Sequence, residues 1–590
     1  MAAGDVQVQS AVHSLDQGRF AFFIRAGMFT VLILGLSLLY LFVQFKGLGT
    51  PTAMDQAQIA RNLAEGKGFT TRYIRPLALH MIQKQQGENT QVDLKAFPDF
   101  YQSPLHPWIS SFVVAFVKGQ TKLSATDFVF VGDRLIAALG ILFFILSVAV
   151  WFLVLSRLFD TRLALFSCAA VLLTDLLWEF SLSGLPQMLA LLLFSLSMLT
   201  TLLAMEAHQK EQLGMMIAWL IASGIGMGLM TLAHGLCVWI FLGWLIFAGI
   251  YFRPRGLAAV AALAAFLLVI APWMVRNYQV CGNPFGLAIY DAFFAGTPED
   301  TYARNAQVNI GGSGTSLQGK VRHGVILQAE RIAAFLGLNI VAGAFFVALF
   351  HPFRSRKALM FKWCILLMWV CAVLGMSLYQ PEASLSANQL HVLFIPLFVG
   401  FGMAFLFVLW NRLELGSPLF RIIFISALLF VCAIPMILRL SSGRPNPSVQ
   451  WPPYVAPFIN ILGDWFTEEE VICSDMPWAV AWYAQRYSLL MPDTLRAFNN
   501  LHDYGVTKQP IRGLYLTPVS ANGKFMADIV KGKYRDWSAL YLAWAGMFRG
   551  QKPQLGGFPL QAVTPLPIEG ECIIFADRDR WNQPRSTSRE

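Results

Sequence analysis

The sequence of 590 residues is 56% apolar and only 13% charged, where soluble domains run at roughly 45–50% and about 25%. A water-soluble chain of this length needs far more charge to cover its surface, so most of the apolar residues must face lipid. The net charge of +10 suits anionic head groups or anionic substrates, no basic run interleaved with aromatics points to nucleic acid, and the 8 cysteines form no CxxC pair or Cys/His cluster of metal-ligand spacing.

Hydropathy resolves into about eleven apolar segments, each close to the ~20 residues that cross a ~30 Å hydrocarbon core. They run over 27–45, 134–156, 163–178, 186–205, 214–233, 236–252, 257–274, 331–350, 359–379, 389–410 and 419–438. The first has no small-residue cleavage site and is followed by further spans, so it reads as an anchor. With a cytoplasmic N-terminus, the inner connections carry basic residues from Arg157 and Arg162 through Arg356, Lys357 and Arg421, whereas the short outer connections at 179–185, 234–235 and 380–388 carry none. The expected class is a polytopic α-helical membrane protein of the plasma or inner membrane. Residues 1–440 form its transmembrane domain, and residues 441–590 a small C-terminal α/β extracytoplasmic domain.

The first outer loop, 46–130, opens on GLGTPTAMDQAQIARNLAEGKGF. Pro51 and Thr52 break the first span, and a short helix over about 53–65 closes on Gly66. Asp55 thus sits at a helix start close to the membrane. It can serve the helix dipole, or act as a general base on a lipid-linked substrate. Further on, PDFYQSPLHPWISSFVVAFVKG gathers Asp99, Tyr101 and His106 ahead of an apolar helix too short to span, which is expected to lie along the interface.

Charges at the outer ends of spans form a second group. Asp175 and Glu179 are four apart and share a helical face; Glu179 is either the wet end of its helix or a cavity-lining carboxylate. Arg134 begins the second span and Arg276 ends the seventh, in APWMVRNYQVCGNPFG. Each can take a phosphate bidentately or snorkel to the head groups. Arg304, Lys320 and Arg322 in the second outer loop, 275–330, depart from a positive-inside pattern and suit a loop that handles an anion.

The linker SSGRPNPSVQWPPY leads into the tail. There the apolar runs EVICSD, GLYLTP and CIIFAD alternate with helical stretches such as PWAVAWYAQR, the pattern of a largely parallel sheet. Cys473 and Cys572 fall on an early and the last of these strands, which leaves a disulfide between them open. The Asp577–Asp579 DxD sequence follows a strand and reads as a solvated turn, so no metal is assigned.

In order, MDQAQIARNLAEGKGF, SPLHPW, RLIAALG and APWMVRNYQVCGNPF resemble the GT-C membrane glycosyltransferases, and within them the protein mannosyltransferase and lipid A aminoarabinose transferase group. The resemblance covers about residues 20–400, and the PW-x-x-RN-x-x-x-x-GNP element is its most specific part. It implies transfer of a sugar from polyprenyl phosphate to an extracytoplasmic acceptor with inversion, and it places the first-loop carboxylate role on Asp55. The chain departs from the family pattern in three places. Gln102, Ser103 and Pro104 stand where many relatives have a double proline, sometimes after lysine. Pro186 and Gln187 stand where an acidic residue often opens the fourth span, leaving Asp99 or Glu179 as the second carboxylate. Asn388, Gln389, Leu390 and His391 replace a frequent Arg-Tyr, making His391 a titratable phosphate ligand. The expected substrate-binding set is therefore Arg134, Arg276, Asn277, Tyr101, His106 and His391, with the lipid bilayer as a partner and no cofactor. A lipid transporter or flippase, or a non-catalytic glycan-assembly protein, is the alternative reading. Few ionisable groups occur in mid-span, and no repeated broken helices are visible to favour a transporter.

Overall fold

A computed structural model describes residues 19–87, 90–117, 129–290, 317–379, 381, 383–413, 418–441, 456–503, 505–521, 525–532, 534–547, 555–565 and 572–581. The chain divides into two units, Met1–Phe45 and Lys46–Glu590. In the first, helix α1 (Arg19–Leu38) continues as a π-helical turn, Leu39–Gln44, closed where the Phe45 amide donates to the Tyr40 carbonyl at 2.9 Å.

The second unit begins with α2 (Pro51–Ala64). Thr50 caps it by accepting from the Ala53 amide, with Pro51 in its first turn, where a missing N–H costs nothing. The helix ends ahead of Gly66, whose φ of +79° suits a residue without a Cβ, as the sequence predicts. A two-residue strand β1 (Tyr73–Ile74), α3 (Pro76–Gln86) and α4 (Leu105–Val114) complete the first loop. On α4, Trp108 and Phe112 are exposed while His106, Ser110 and Ser111 are buried. That amphipathic helix is the one expected along the interface.

The helices that follow make this a multi-pass membrane protein. Seven among the described residues are long and apolar enough to cross, or up to eight if one bent pair counts as one span. They are α5 (Val131–Leu158), α8 (Gln187–Gln209), α9 (Leu213–Ala233), α11 (Leu257–Cys281), α15 (Arg356–Tyr379), α16 (His391–Arg412) and α17 (Pro418–Ser441). The remaining expected spans take other forms. The first and sixth include the shorter apolar helices Phe29–Gln44 and Gly235–Tyr251, the latter containing α10 (Val238–Tyr251).

The expected span 163–178 is the bent pair, α6 (Thr161–Leu172) and α7 (Asp175–Leu182), which meet at 60°. Backbone carbonyls freed at such a break must be satisfied by side chains: Thr174 donates to Ala170 (2.9 Å) and the Trp178 indole to Leu172 (2.8 Å). The expected span 331–350 is interrupted as well. After α12 (Leu317–Glu330) come α13 (Ile332–Phe335) and α14 (Ile340–Ala348), separated by Gly337 and Leu338 at φ +66° and +56°. The nine residues of α14 rise only about 14 Å, half the hydrocarbon core. Asn339 caps α14 by accepting from Val341 and Ala342 and donates to Thr174 at 2.8 Å, so one side chain joins the two breaks.

Close packing fixes the helices that carry Arg134 and Glu179. A Cβ at Gly140 would fall 2.1 Å from the Ser181 carbonyl oxygen, so α5 and α7 meet backbone to backbone at a position only glycine allows. At the opposite ends of α5 and α8, Glu206 pairs with Arg157 (3.2 Å) and Lys357 (3.0 Å), two of the basic residues expected on the inner side.

The tail adds β2 (Val471–Ser474), β3 (Tyr487–Leu490), β4 (Ile511–Leu516), β5 (Ala562–Pro565) and β6 (Ile573–Ala576). The sheet order is β1-β3-β2-β4-β6-β5. In that order β1, β3, β2 and β4 are parallel, β6 is antiparallel to β4 and β5 antiparallel to β6, so among the tail's own strands two of four pairings are parallel and the sheet is mixed where a largely parallel one was expected. One strand was unforeseen: β1, from the first loop, forms an edge by pairing Tyr73 with Ser488 and Ile74 with Leu489. No disulfide joins Cys473 and Cys572. Strand β4 lies between β2 and β6, and strands two apart are about 9.5 Å from each other, beyond the reach of a disulfide. Asp577 accepts from Arg580 at 2.6 and 2.9 Å.

Candidate functional site

Ten consecutive residues of α2, Ala53 to Asn62, are buried, polar ones included, because the loop folds back around the helix. Asp55 is 1% exposed. Its Oδ2 accepts from Arg75 (2.6 Å) and from Gln102 Nε2 (2.6 Å), and its Oδ1 from Gln58 (3.1 Å). Arg75 follows β1 directly, so the sheet edge that includes β1 delivers the guanidinium to the carboxylate. The same guanidinium reaches Asp99 Oδ2 at 3.5 Å and lies between the rings of Tyr73 and Tyr101, 3.9 and 4.0 Å from their centroids. A cation between two aromatic faces keeps favourable electrostatics without water.

Asp99 ends the strand-like run before α4 and folds its Oδ1 onto the amides of Tyr101 (3.0 Å) and Gln102 (2.8 Å). Burial, then the neighbouring Asp55 carboxylate, raises its proton affinity above the usual carboxylate range, with Arg75 pulling the other way. Burial works against the charge of Arg75, but Asp55 first, then Tyr73 and Asp99, hold it well above the usual arginine value. Two carboxylates thus share one cation, and the raised proton affinity of Asp99 depends on the charge of Asp55 beside it.

From Asp55 a chain of side-chain amides runs to His106. Gln102 Oε1 accepts from Gln56 (3.0 Å), whose Oε1 accepts from His106 Nδ1 (2.7 Å). Because an amide oxygen only accepts, His106 carries its proton on Nδ1. Burial first, then His234, pushes the imidazole down to about 4.

The PWMVRN and GNP segments close the site from the other side. Arg276 donates to the Asp99 carbonyl, to Asn277 Oδ1 (3.1 Å) and to the Phe69 carbonyl (3.3 Å), and it packs 4.7 Å over Trp273. Asn277 is buried. Gly286 has φ +61°, and a Cβ there would lie 2.0 Å from the Phe100 carbonyl oxygen, while the Leu287 amide donates to that oxygen at 3.1 Å. This element holds the Asp99–Phe100 turn, with Arg276 tied to two backbone carbonyls and to Asn277 Oδ1.

The structure therefore gathers Asp55, Asp99, Tyr101, His106, Arg276 and Asn277. The other expected residues have different neighbours. Half-buried Arg134 follows Asp133 in the first turn of α5. Glu179 pairs with Arg439, near the end of α17, which also takes Asp175 at 3.1 Å. His391 is fully buried, accepts from Trp369 at Nδ1 (3.0 Å) and donates from Nε2 to Gln328 (3.1 Å), so both ring nitrogens are taken by protein. Lys320 and Arg322 lie on α12; Arg304 falls outside the described residues. Sequence reasoning missed Arg75, Gln58 and Gln102. Arg75 precedes Pro76, whose effect on the preceding residue was a signal for extended backbone, but nothing local says that a strand ending there faces Asp55.

No family model matches the sequence, and no curated protein matches it. Solved structures do match. ArnT from Cupriavidus metallidurans bound to undecaprenyl phosphate is 14% identical with a TM-score of 0.54, over 95% of this chain and 100% of that one. The Archaeoglobus fulgidus oligosaccharyltransferase tethered with an acceptor peptide is 14% identical with a TM-score of 0.53, over 88% of this chain and 71% of that one. Both belong to the GT-C superfamily, and this chain has the GT-C fold.

Proposed function

We propose that the protein is a membrane glycosyltransferase that moves a sugar from polyprenyl phosphate to an extracytoplasmic acceptor, inverting the anomeric carbon. The observation that carries this reading is the buried Asp55–Arg75–Asp99 cluster in the first loop of a GT-C fold, a fold shared with a structure that holds undecaprenyl phosphate. Displacement at the anomeric carbon needs a base for the acceptor hydroxyl and positive charge for the departing phosphate. We assign the base to this carboxylate pair. Asp55 orients the acceptor, and Asp99, with its raised proton affinity, takes the hydroxyl proton. The acceptor oxygen bonds to the anomeric carbon while the carbon–oxygen bond to the lipid phosphate breaks, and the electron pair leaves with the phosphate. Arg134 is assigned to that phosphate. Arg276 positions Asp99 through its backbone. The N-terminus is assigned to the cytoplasm and the tail to the outside, which a reporter fused after Glu590 tests by being active only outside.

Release of polyprenyl phosphate from polyprenyl-phosphate sugars extracted from the source membranes, with extracted envelope material as acceptor, reads the reaction without knowing the sugar. Asp55→Asn and Asp99→Asn are each expected to lower release by roughly 10²–10⁴-fold while undecaprenyl phosphate binds as before. Near-normal release from folded Asp55→Asn and Asp99→Asn proteins refutes the assignment. Mass spectrometry of surface glycans with and without the gene then identifies sugar and acceptor.

A further inference from the structure

The tail reaches the loop through a short segment that has no counterpart in ordinary helix geometry. Residues Val480–Ala484 form a π-helical turn, and π-turns recur at functional sites. The turn ends on Gln485 at φ +54°, a strained conformation for a residue with a Cβ, held because side chains from elsewhere take up the carbonyls it exposes. Arg61 of α2 donates to the Trp482 carbonyl at 2.7 Å, Asn460 to that of Tyr483 at 2.8 Å, and Arg72, next to β1, to that of Gln485.

The side chains of the same turn point to a different helix. Trp482 Nε1 donates to Asp133 Oδ1 at 2.7 Å and the Tyr483 hydroxyl to Asp133 Oδ2 at 2.8 Å. That oxygen also takes the Leu48 amide at 3.4 Å. Asp133 is 1% exposed and immediately precedes Arg134 in the first turn of α5. The Trp482 ring lies under the Arg61 guanidinium at 3.9 Å and edge-on to Phe130 at 5.5 Å. One two-residue unit of the tail therefore grips both helices of the site. Its backbone and ring hold Arg61, six residues from Asp55 along α2. Its polar tips hold Asp133, the neighbour of Arg134.

We propose that the π-turn Val480–Ala484 is a positioning element of the transfer site, fixing the spacing between Asp55 on α2 and Arg134 on α5. The proposal rests on the transferase reading above. It makes the tail part of the reaction centre's framework instead of a separate binding module. An acceptor-orienting carboxylate and a phosphate cation on two elements act together only while their separation is held, and misplacement by about 1 Å costs on the order of 10²-fold. Asp133, Trp482 and Tyr483 are positioning residues in this scheme.

The test is a Trp482→Phe/Tyr483→Phe double variant of the full chain, which keeps an aromatic ring and the carbonyl at each position, the ring at 482 being smaller, and removes the two donors to Asp133. Release of polyprenyl phosphate from the extracted donors is measured per folded molecule, together with the donor KM and the affinity for undecaprenyl phosphate. Expected is a fall in kcat of about 10- to 100-fold with KM and affinity within about twofold; Tyr483→Phe alone gives a smaller fall of the same kind. Asp133→Asn, which keeps a side-chain oxygen for the indole, recovers more activity than Asp133→Ala. A purely structural role instead lowers the folded fraction and leaves kcat per folded molecule at the wild-type value, and that result overturns the proposal. If the double variant does not fold, the single variant decides by the same criterion. Asp55→Asn run alongside separates the two levels. If it is inactive while Trp482→Phe/Tyr483→Phe is normal, only the positioning role fails; if it too is normal, the site reading fails and takes the proposal with it.

Discussion

Replacing Arg75 with methionine removes the one cation shared by two buried carboxylates while leaving apolar volume between Tyr73 and Tyr101. Arg75 is 5% exposed and Asp55 1%, so water cannot enter to compensate, and breaking such a pair costs about 3–5 kcal/mol. Loss of the contacts with the two tyrosine rings adds to it. The penalty is pH-dependent. With Arg75 gone, burial and the Asp55 charge, which raise the proton affinity of Asp99, are opposed by the Tyr101 and Gln102 amides without the guanidinium. A carboxyl whose folded pKa lies above its unfolded value destabilises the fold in full above the folded pKa, and the penalty is relieved progressively as pH falls from the folded towards the unfolded value. Arg75→Met is therefore expected to lie closest to the wild type at pH 5 and furthest from it at pH 8. Arg75→Met/Asp55→Asn, carrying one charge fewer, is expected to be at least about 1 kcal/mol more stable than Arg75→Met at pH 8. Equilibrium unfolding in mild detergent, followed by tryptophan fluorescence at both pH values, measures all three. An Arg75→Met protein within about 1 kcal/mol of the wild type at pH 8, or a penalty that grows on acidification, refutes the reading of this cluster as a buried ion pair.

Further outcomes follow from individual contacts. His106, pushed from 6.5 to about 4, binds fewer protons folded than unfolded, so stability drops as pH falls from about 6.5 to 4, by at most about 3 kcal/mol; His106→Gln should flatten that part of the pH–stability curve. Gly337→Ala places a Cβ 2.9 Å from Leu176 and Thr174 at φ +66° and is expected to lower stability by about 1–3 kcal/mol, visible as a reduced thermal midpoint. Cys473 and Cys572 should both be alkylated after denaturation without reductant; a linked peptide pair in non-reducing mapping would contradict the strand order.

The long apolar helices were legible because a span must be about 20 residues of one character, and α8, α9, α15 and α16 lie close to where hydropathy puts them. The helix of Asp55 was legible from its Pro-Thr start and Gly66 stop. The breaks at Leu173–Thr174 and Leu336–Asn339 were not, because Thr174, Gly337 and Asn339 stand inside otherwise apolar runs and the bond that stabilises both, Asn339 to Thr174, spans 165 residues. The site shows the same division. Asp55, Asp99 and His106 stand out as polar groups in a membrane-proximal loop, whereas Arg75 matters only because β1 joins a sheet built more than 400 residues later. Glu179 and His391 satisfied the same chemical criteria, yet neighbours remote in sequence, Arg439 and Trp369, claim them.

That late sheet also sets a timetable. The first loop leaves the ribosome early, but the partners of Arg61 and Arg72 lie 421 and 413 residues downstream, a wait of about 20–80 s at ordinary synthesis rates of roughly 5–20 residues per second. Until the tail arrives, β1 has no sheet to join, and Arg61 and Arg72 lack the carbonyls they donate to. On the transferase reading proposed above, a chain cut before residue 471 is expected to insert its helices without transfer activity, because the segment that holds Arg61 and Arg72 is missing from it.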